Sequence, residues 1–167
     1  MQIVSTVPEH HYVGAPDGRF RILDAYLRAI REARRFIYLE NQFLWSPEIV
    51  AALRDKLLYP PSPDFRLVVL LPSKANSGED DTQGQLGVLA GADEHGEHFL
   101  ACSIHARSAG ATSAPIYVHA KAGIVDDEWL TLGSANLNDH SLFNDTEVNV
   151  ATRDAPLARA ARIRLWS

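Results

Sequence analysis

A single cysteine, Cys102, stands among the 167 residues. That scarcity excludes an internal disulfide framework and a cysteine-rich zinc site. Cys102 lies in the apolar run Phe99–Ile104 and reads as a buried thiol, not a reactive one. No apolar run reaches the length of a membrane span; the longest blocks are short, such as Leu67–Leu71. The opening MQIVSTVPEHHY lacks a basic segment followed by a long apolar one, so it does not read as a signal peptide. The expected location is cytoplasmic, with at most peripheral contact with a membrane. Basic excess is missing too: 16 Lys and Arg against 21 Asp and Glu leave a net charge of -5. This weighs against a nucleic-acid wrapper, although it leaves room for a local cationic pocket. Internal repeats and low-complexity tracts are also lacking. What is present is ordinary for a globular chain, 46% hydrophobic and 22% charged. Residues 1–167 are expected to form one domain with a real core.

Periodicity divides the chain into alternating strands and helices. Ile3–Val7 is a short strand, and Tyr12–Arg19, with Gly14, Pro16 and Gly18, is a loop. Phe20, Leu23, Tyr26, Leu27 and Ile30 follow helical spacing, leaving Arg21, Arg28, Arg31 and Arg35 on a solvated face. Phe36–Leu39 and Arg66–Leu71 read as buried strands. Ser46-Pro47 marks a helix start that runs through Leu57. Ser73–Gln83 reads as a polar loop, Leu86–Ala92 as helix, Phe99–Ile104 as strand and His105–Ser113 as loop. Ile116–Asp126 and Trp129–Gly133 form a hairpin pattern. Glu147–Ala151 is a last strand, and Asp154 caps a final helix. Such alternation gives an α/β layered domain.

The stretch Tyr117–Val150 carries the chemistry. His119 and Lys121 are two apart on an expected strand, so an imidazole and an ammonium share one face. The returning arm of the hairpin ends in Gly133-Ser134-Ala135-Asn136, which comes back beside them. Gly133 permits close approach of backbone to a ligand. Ser134 and Asn136 add short neutral hydrogen-bonding groups. A helix over Ala135–Leu142 would add N-terminal amides. Histidine, lysine, asparagine and amides converging on one spot suit a phosphoryl oxygen.

These residues resemble a known family. His119-x-Lys121-x4-Asp126 followed by GSAN at 133–136 is similar to the HKD motif of the phospholipase D superfamily. YLENQFLW at Tyr38–Trp45 resembles the strand and loop that precede the second such motif in phospholipases D. The likeness covers nearly the whole chain and matches the carboxyl-terminal half of a two-motif enzyme. It implies a mixed β-sheet flanked by helices on both faces, an α/β/α sandwich. It implies that His119 is the nucleophile or general acid. Lys121, Asn136 and Ser134 would contact phosphate oxygens. Glu147, 28 residues after His119, would orient the imidazole. Asp126 belongs to the catalytic motif but sits at the hairpin turn, so its expected role is to hold that turn. Asn41 and Gln42 are placed near the substrate cleft. His140 departs from the arginine that many relatives carry after GSAN. No metal and no cofactor is implied, and His10, His11, His95 and His98 read as surface residues.

Only one such motif is present, and a double displacement at phosphorus needs two histidines. The second half is expected from the same longer chain or from a homodimer partner; the apolar ending Leu165-Trp166-Ser167 favours the former. The expected substrate is a phospholipid or another phosphodiester, whose phosphatidyl group is hydrolysed or transferred through a phosphohistidine. A nuclease, a cardiolipin-synthase-like transferase and a catalytically incomplete half-domain are the alternatives, with nucleic acid disfavoured by the acidic balance.

Overall fold

The computed structural model describes residues 1–76, 78–107 and 113–167. The chain forms β1 (Gln2–Val7), β2 (Arg19–Phe20), α1 (Arg21–Glu32), β3 (Phe36–Asn41), α2 (Pro47–Leu58), β4 (Arg66–Leu70) and α3 (Glu79–Ala92). It continues through β5 (Phe99–Cys102), β6 (His105–Arg107), β7 (Ser113–Pro115), β8 (Lys121–Val125), β9 (Trp129–Gly133), β10 (Glu147–Thr152) and α4 (Ala155–Trp166). Eight strands make one sheet in the order β2-β1-β10-β9-β8-β3-β4-β5. Strands β3, β4 and β5 run parallel, and β8 joins β3 antiparallel. The sheet is therefore mixed, as expected.

Helices α1, α2 and α3 cover one face. Ile22, Leu23, Tyr26, Ala29 and Ile30 recur at helical spacing along α1 and meet Ile37, Leu39, Leu67 and Val69 of the sheet. Arg21, Arg28, Arg31 and Arg35 are exposed. Ser46 caps α2 by accepting from the Ile49 amide, with Pro47 in the first turn. The second face carries a smaller cluster of Tyr38, Leu70, Val118 and Ile124. Helix α4 packs there, its Trp166 ring against Phe36 and Tyr38. Asp154 caps α4 through the Leu157 amide. Helices thus lie on both faces, although Ile3, Val150 and Leu132, a cross-strand row on this second face, stay exposed.

Several boundaries differ from the sequence-based expectation. Helix α3 begins at Glu79, inside the expected loop; Glu79, Asp80 and Asp81 fill its first turn, where acidic side chains favour a helix. Within the expected loop His105–Ser113, His105–Arg107 pairs with Ser113–Pro115 as a two-stranded hairpin, while 108–112 and Ser77 lie outside the described residues. Cys102 is half-buried, and burial raises its thiol pKa. Strand β8 starts at Lys121, not Ile116, so His119 precedes the strand. No helix spans Ala135–Leu142; residues 134–138 are irregular and lead into a π-helical turn at His140–Asn144. The reason is local. The Leu137 carbonyl is taken by the Trp45 and Ser46 amides, and the Ser141 amide that would have met it is taken by the Asn138 side-chain oxygen, which competes with helical bonding.

Candidate active site

The hairpin β8–β9 brings its two open ends together, Ala122 pairing with Leu132 beside Lys121 and Gly133. Lys121 pairs with Asn41 at the carboxyl end of β3, the end at which open α/β sheets carry their sites. Gly133 pairs with Asn149. Lys121 and Glu147, at the start of β10, therefore occupy the same edge of the sheet.

Lys121 is only 7% exposed. Its ammonium donates to the Gln42 side-chain oxygen at 3.1 Å and to the His119 carbonyl at 2.9 Å. Burial lowers its pKa from the ordinary lysine value, and the negative charge of Glu147 works in the opposite direction. Glu147 is itself anchored: Ser134 donates to one carboxylate oxygen and Ser141 donates to the other at 2.8 Å. The His119 ring is exposed and lies 6.4 Å from the Tyr117 ring, nearly parallel to it. Asn136 is half-buried, and its side-chain oxygen has no partner among the described residues.

The structure thus brings together His119, Lys121, Gln42, Ser134 and Glu147, with Asn136 in the loop that follows Gly133. The expected hydrogen bond from the imidazole to Glu147 is not formed here; the carboxylate accepts from Ser134 and Ser141 instead. Gly133 has a different role from the one its sequence suggests. A methyl group there would collide with the Asn149 carboxamide and the Val148 carbonyl, so the close approach is to β10 and not to a ligand. Asn41 is fully buried and accepts from the Phe43 and Leu137 amides. With the Trp45 and Ser46 amides bound to the Leu137 carbonyl, its side-chain oxygen fastens two site loops together, while its side-chain nitrogen has no partner among the described residues.

Asp126 stands at the other end of β8, five residues from Lys121, about 17 Å away at strand rise. Its carboxylate accepts from the Arg34, Arg35 and Phe36 amides at 2.7 to 2.8 Å. Asp126 and Asp127 both adopt positive φ as the central residues of a turn closed by the Glu128 amide donating to the Val125 carbonyl. Ser141 and Tyr117 were not singled out in the sequence. Ser141 reaches Glu147 through the π turn, which no period in the sequence announces. Among the described residues, no group of three His, Cys, Asp or Glu side chains could hold a metal ion.

The family model described as "Cardiolipin synthase, PLD-like domain" matches residues 26–166. The chain belongs to this PLD-like family. Phospholipase D2 of Bos taurus is 30% identical, over 81% of this chain and 19% of that protein. Phospholipase D A of Dictyostelium discoideum is 29% identical, over 76% of this chain and 12% of that protein. The chain therefore spans a fifth or less of these relatives. In fold, it is similar to NucT from Helicobacter pylori, with a TM-score of 0.67 and 17% identity, covering 98% of this chain and 93% of that one. Nuc from Salmonella typhimurium, a phospholipase D family member, gives 0.65 and 18%, covering 98% and 89%.

Proposed function

We propose that residues 1–167 form one half of a phosphodiesterase site that cleaves or transfers the phosphatidyl group of a phospholipid. The observation that carries this reading is the pairing of an exposed imidazole, His119, with a buried ammonium, Lys121, at one sheet edge. In the first step a His119 ring nitrogen attacks phosphorus, forming a P–N bond as the P–O bond to the head-group alcohol breaks. A histidine of the second half protonates the departing alcohol and then takes a proton from water or an acceptor alcohol. That oxygen attacks phosphorus, the P–N bond breaks, and His119 is released. Lys121 and Asn136 bind the non-bridging oxygens, where charge is concentrated. Glu147, held by Ser134 and Ser141, supplies the negative charge that offsets a cationic site.

The second half comes from the same longer chain or from another copy. The NucT likeness covers 93% of a chain of similar size, so this fold also occurs as a chain carrying a single such domain. Turnover of a phospholipid places the site at a lipid surface; among the described residues no helix is long and apolar enough to cross a membrane.

Phosphatidylcholine vesicles test the reading. Choline release is expected from a homodimer, or from this chain after its second half is supplied. Loss of that release in His119→Ala is expected as well. DNA cleavage without lipid turnover would instead favour the nuclease alternative. Unchanged turnover by His119→Ala would overturn the mechanism.

A further inference from the structure

Gln42 is 5% exposed and sits just past the carboxyl end of β3. A lysine ammonium has three N–H donors and no acceptor. The carboxamide must therefore turn its oxygen toward Lys121, and it does so at 3.1 Å. Its nitrogen then faces the other way, where it donates to the Tyr117 hydroxyl at 2.9 Å and to the Asn76 side-chain oxygen at 3.2 Å. Each polar atom of Gln42 has a partner, so the amide has one favoured orientation. The Lys121 ammonium is pinned by two neutral acceptors, Gln42 and the His119 carbonyl. One donor direction remains, and neither acceptor neutralises the charge.

We propose that Gln42 is a positioning residue that aims the third N–H of Lys121 at a phosphate oxygen, with Tyr117 and Asn76 fixing its amide. The inference rests on the phosphodiesterase reading for what the donor meets, but not for how it is held. A neutral amide suits this task better than a carboxylate. Glutamate at position 42 would hold the ammonium equally well while competing with the substrate for its charge. Gln42 thus acts through Lys121 and does not itself touch the substrate.

The test reads Lys121 directly, without turnover. The chain has three lysines, Lys56, Lys74 and Lys121, so ε-carbon-labelled lysine gives a simple spectrum, assigned by Lys121→Arg. The titratable groups around Lys121 are Glu147 on β10 and His119 and Tyr117 in the segment entering β8. In Gln42→Leu the charged form loses an acceptor, and the Lys121 midpoint moves down. In Gln42→Glu it gains an opposite charge, and the midpoint moves up. Both variants should bind inorganic phosphate about tenfold more weakly, as expected for one misdirected charge-assisted hydrogen bond. Tyr117→Phe, altering a half-exposed side chain, should move the midpoint down by less and keeps the test open if Gln42→Leu does not fold. An unchanged midpoint in Gln42→Glu and Tyr117→Phe would overturn the positioning role. Midpoints that move while both Gln42 variants bind phosphate as tightly as wild type would also overturn it, whereas a wild-type chain whose Lys121 midpoint responds to Gln42 but which binds no phosphate would remove the phosphodiesterase reading on which the aim rests.

Discussion

The two ends of β8 carry residues of one short motif and treat them in opposite ways. At the turn, the Asp126 carboxylate is 6% exposed and occupied by three backbone amides. Its neighbour Asp127 is held by both Arg162 side-chain contacts, at 2.6 and 2.7 Å. At the other end, Lys121 is buried with a donor to spare, and His119 is exposed. The turn has satisfied its charges within the fold; the opposite end keeps hydrogen-bonding capacity in reserve. A side chain whose bonds are all internal contributes to stability, whereas one left incomplete is available for chemistry. Membership of a motif does not distinguish the two.

The sharpest way to break this contrast is at His119. His119→Ala should lower turnover of the completed site by about 10⁴-fold or more, while its stability changes by less than about 0.5 kcal/mol because the ring is exposed. Activity assays with urea unfolding on the same samples check both halves of that statement. Asp126→Ala should do the reverse. It leaves three amides without their acceptor, and a loss of about 3 kcal/mol is expected in urea unfolding.

Asp127→Ala should cost about 1 to 2 kcal/mol, chiefly by releasing α4 from the turn. The hydrogen bonds from Arg162 hold the Asp127 carboxyl below the usual carboxylate range. The stability it contributes is present above its unfolded pKa and is lost as pH falls through the lower folded value. Acid titration of unfolding should therefore show a wild-type advantage over Asp127→Asn that shrinks as the solution is acidified. The smallest effect has the opposite sign. Lys121→Met should abolish phosphate binding yet gain about 1 kcal/mol of stability near neutral pH, since a buried charge is removed. Burial depresses the Lys121 pKa, so the unfolded chain binds that proton more readily. The gap between variant and wild type should narrow as pH rises through the folded value.

Much of this architecture is legible in the amino acids. Strand β4, read from Arg66–Leu71, and helix α1, read from its apolar spacing, follow from hydrophobic period alone. The Ser46-Pro47 and Asp154 helix starts follow from capping chemistry. The β8–β9 hairpin and the residues at its ends are visible as a motif. What period cannot show is competition for amides. Asn138 captures the Ser141 amide, and the Trp45 and Ser46 amides capture the Leu137 carbonyl, which a helix over Ala135–Leu142 would have joined. Nor can it show which partner a glycine accommodates: Gly133 makes room for β10. Gln42 was visible as a residue of the cleft, but its link to Lys121 joins positions 79 apart in the chain. Ser141 depended on a π turn closed by the bond from the Asp145 amide to the His140 carbonyl.

The pairing of β1 with β10 has a kinetic consequence. Gln2 lies opposite Ala151, and Thr6 opposite Glu147. Strand β1 meets β2 locally through Thr6 and Phe20, but its pairing with β10 must wait until that strand is made, and contacts of such separation form slowly. The hairpin β8–β9 can close early by comparison, since its partners are adjacent in sequence. Glu147 reaches the site on the late strand, so the charge that balances Lys121 arrives in the same event that seals the sheet. A ribosome-bound chain stopped short of β10 would hold the lysine without its counter-charge.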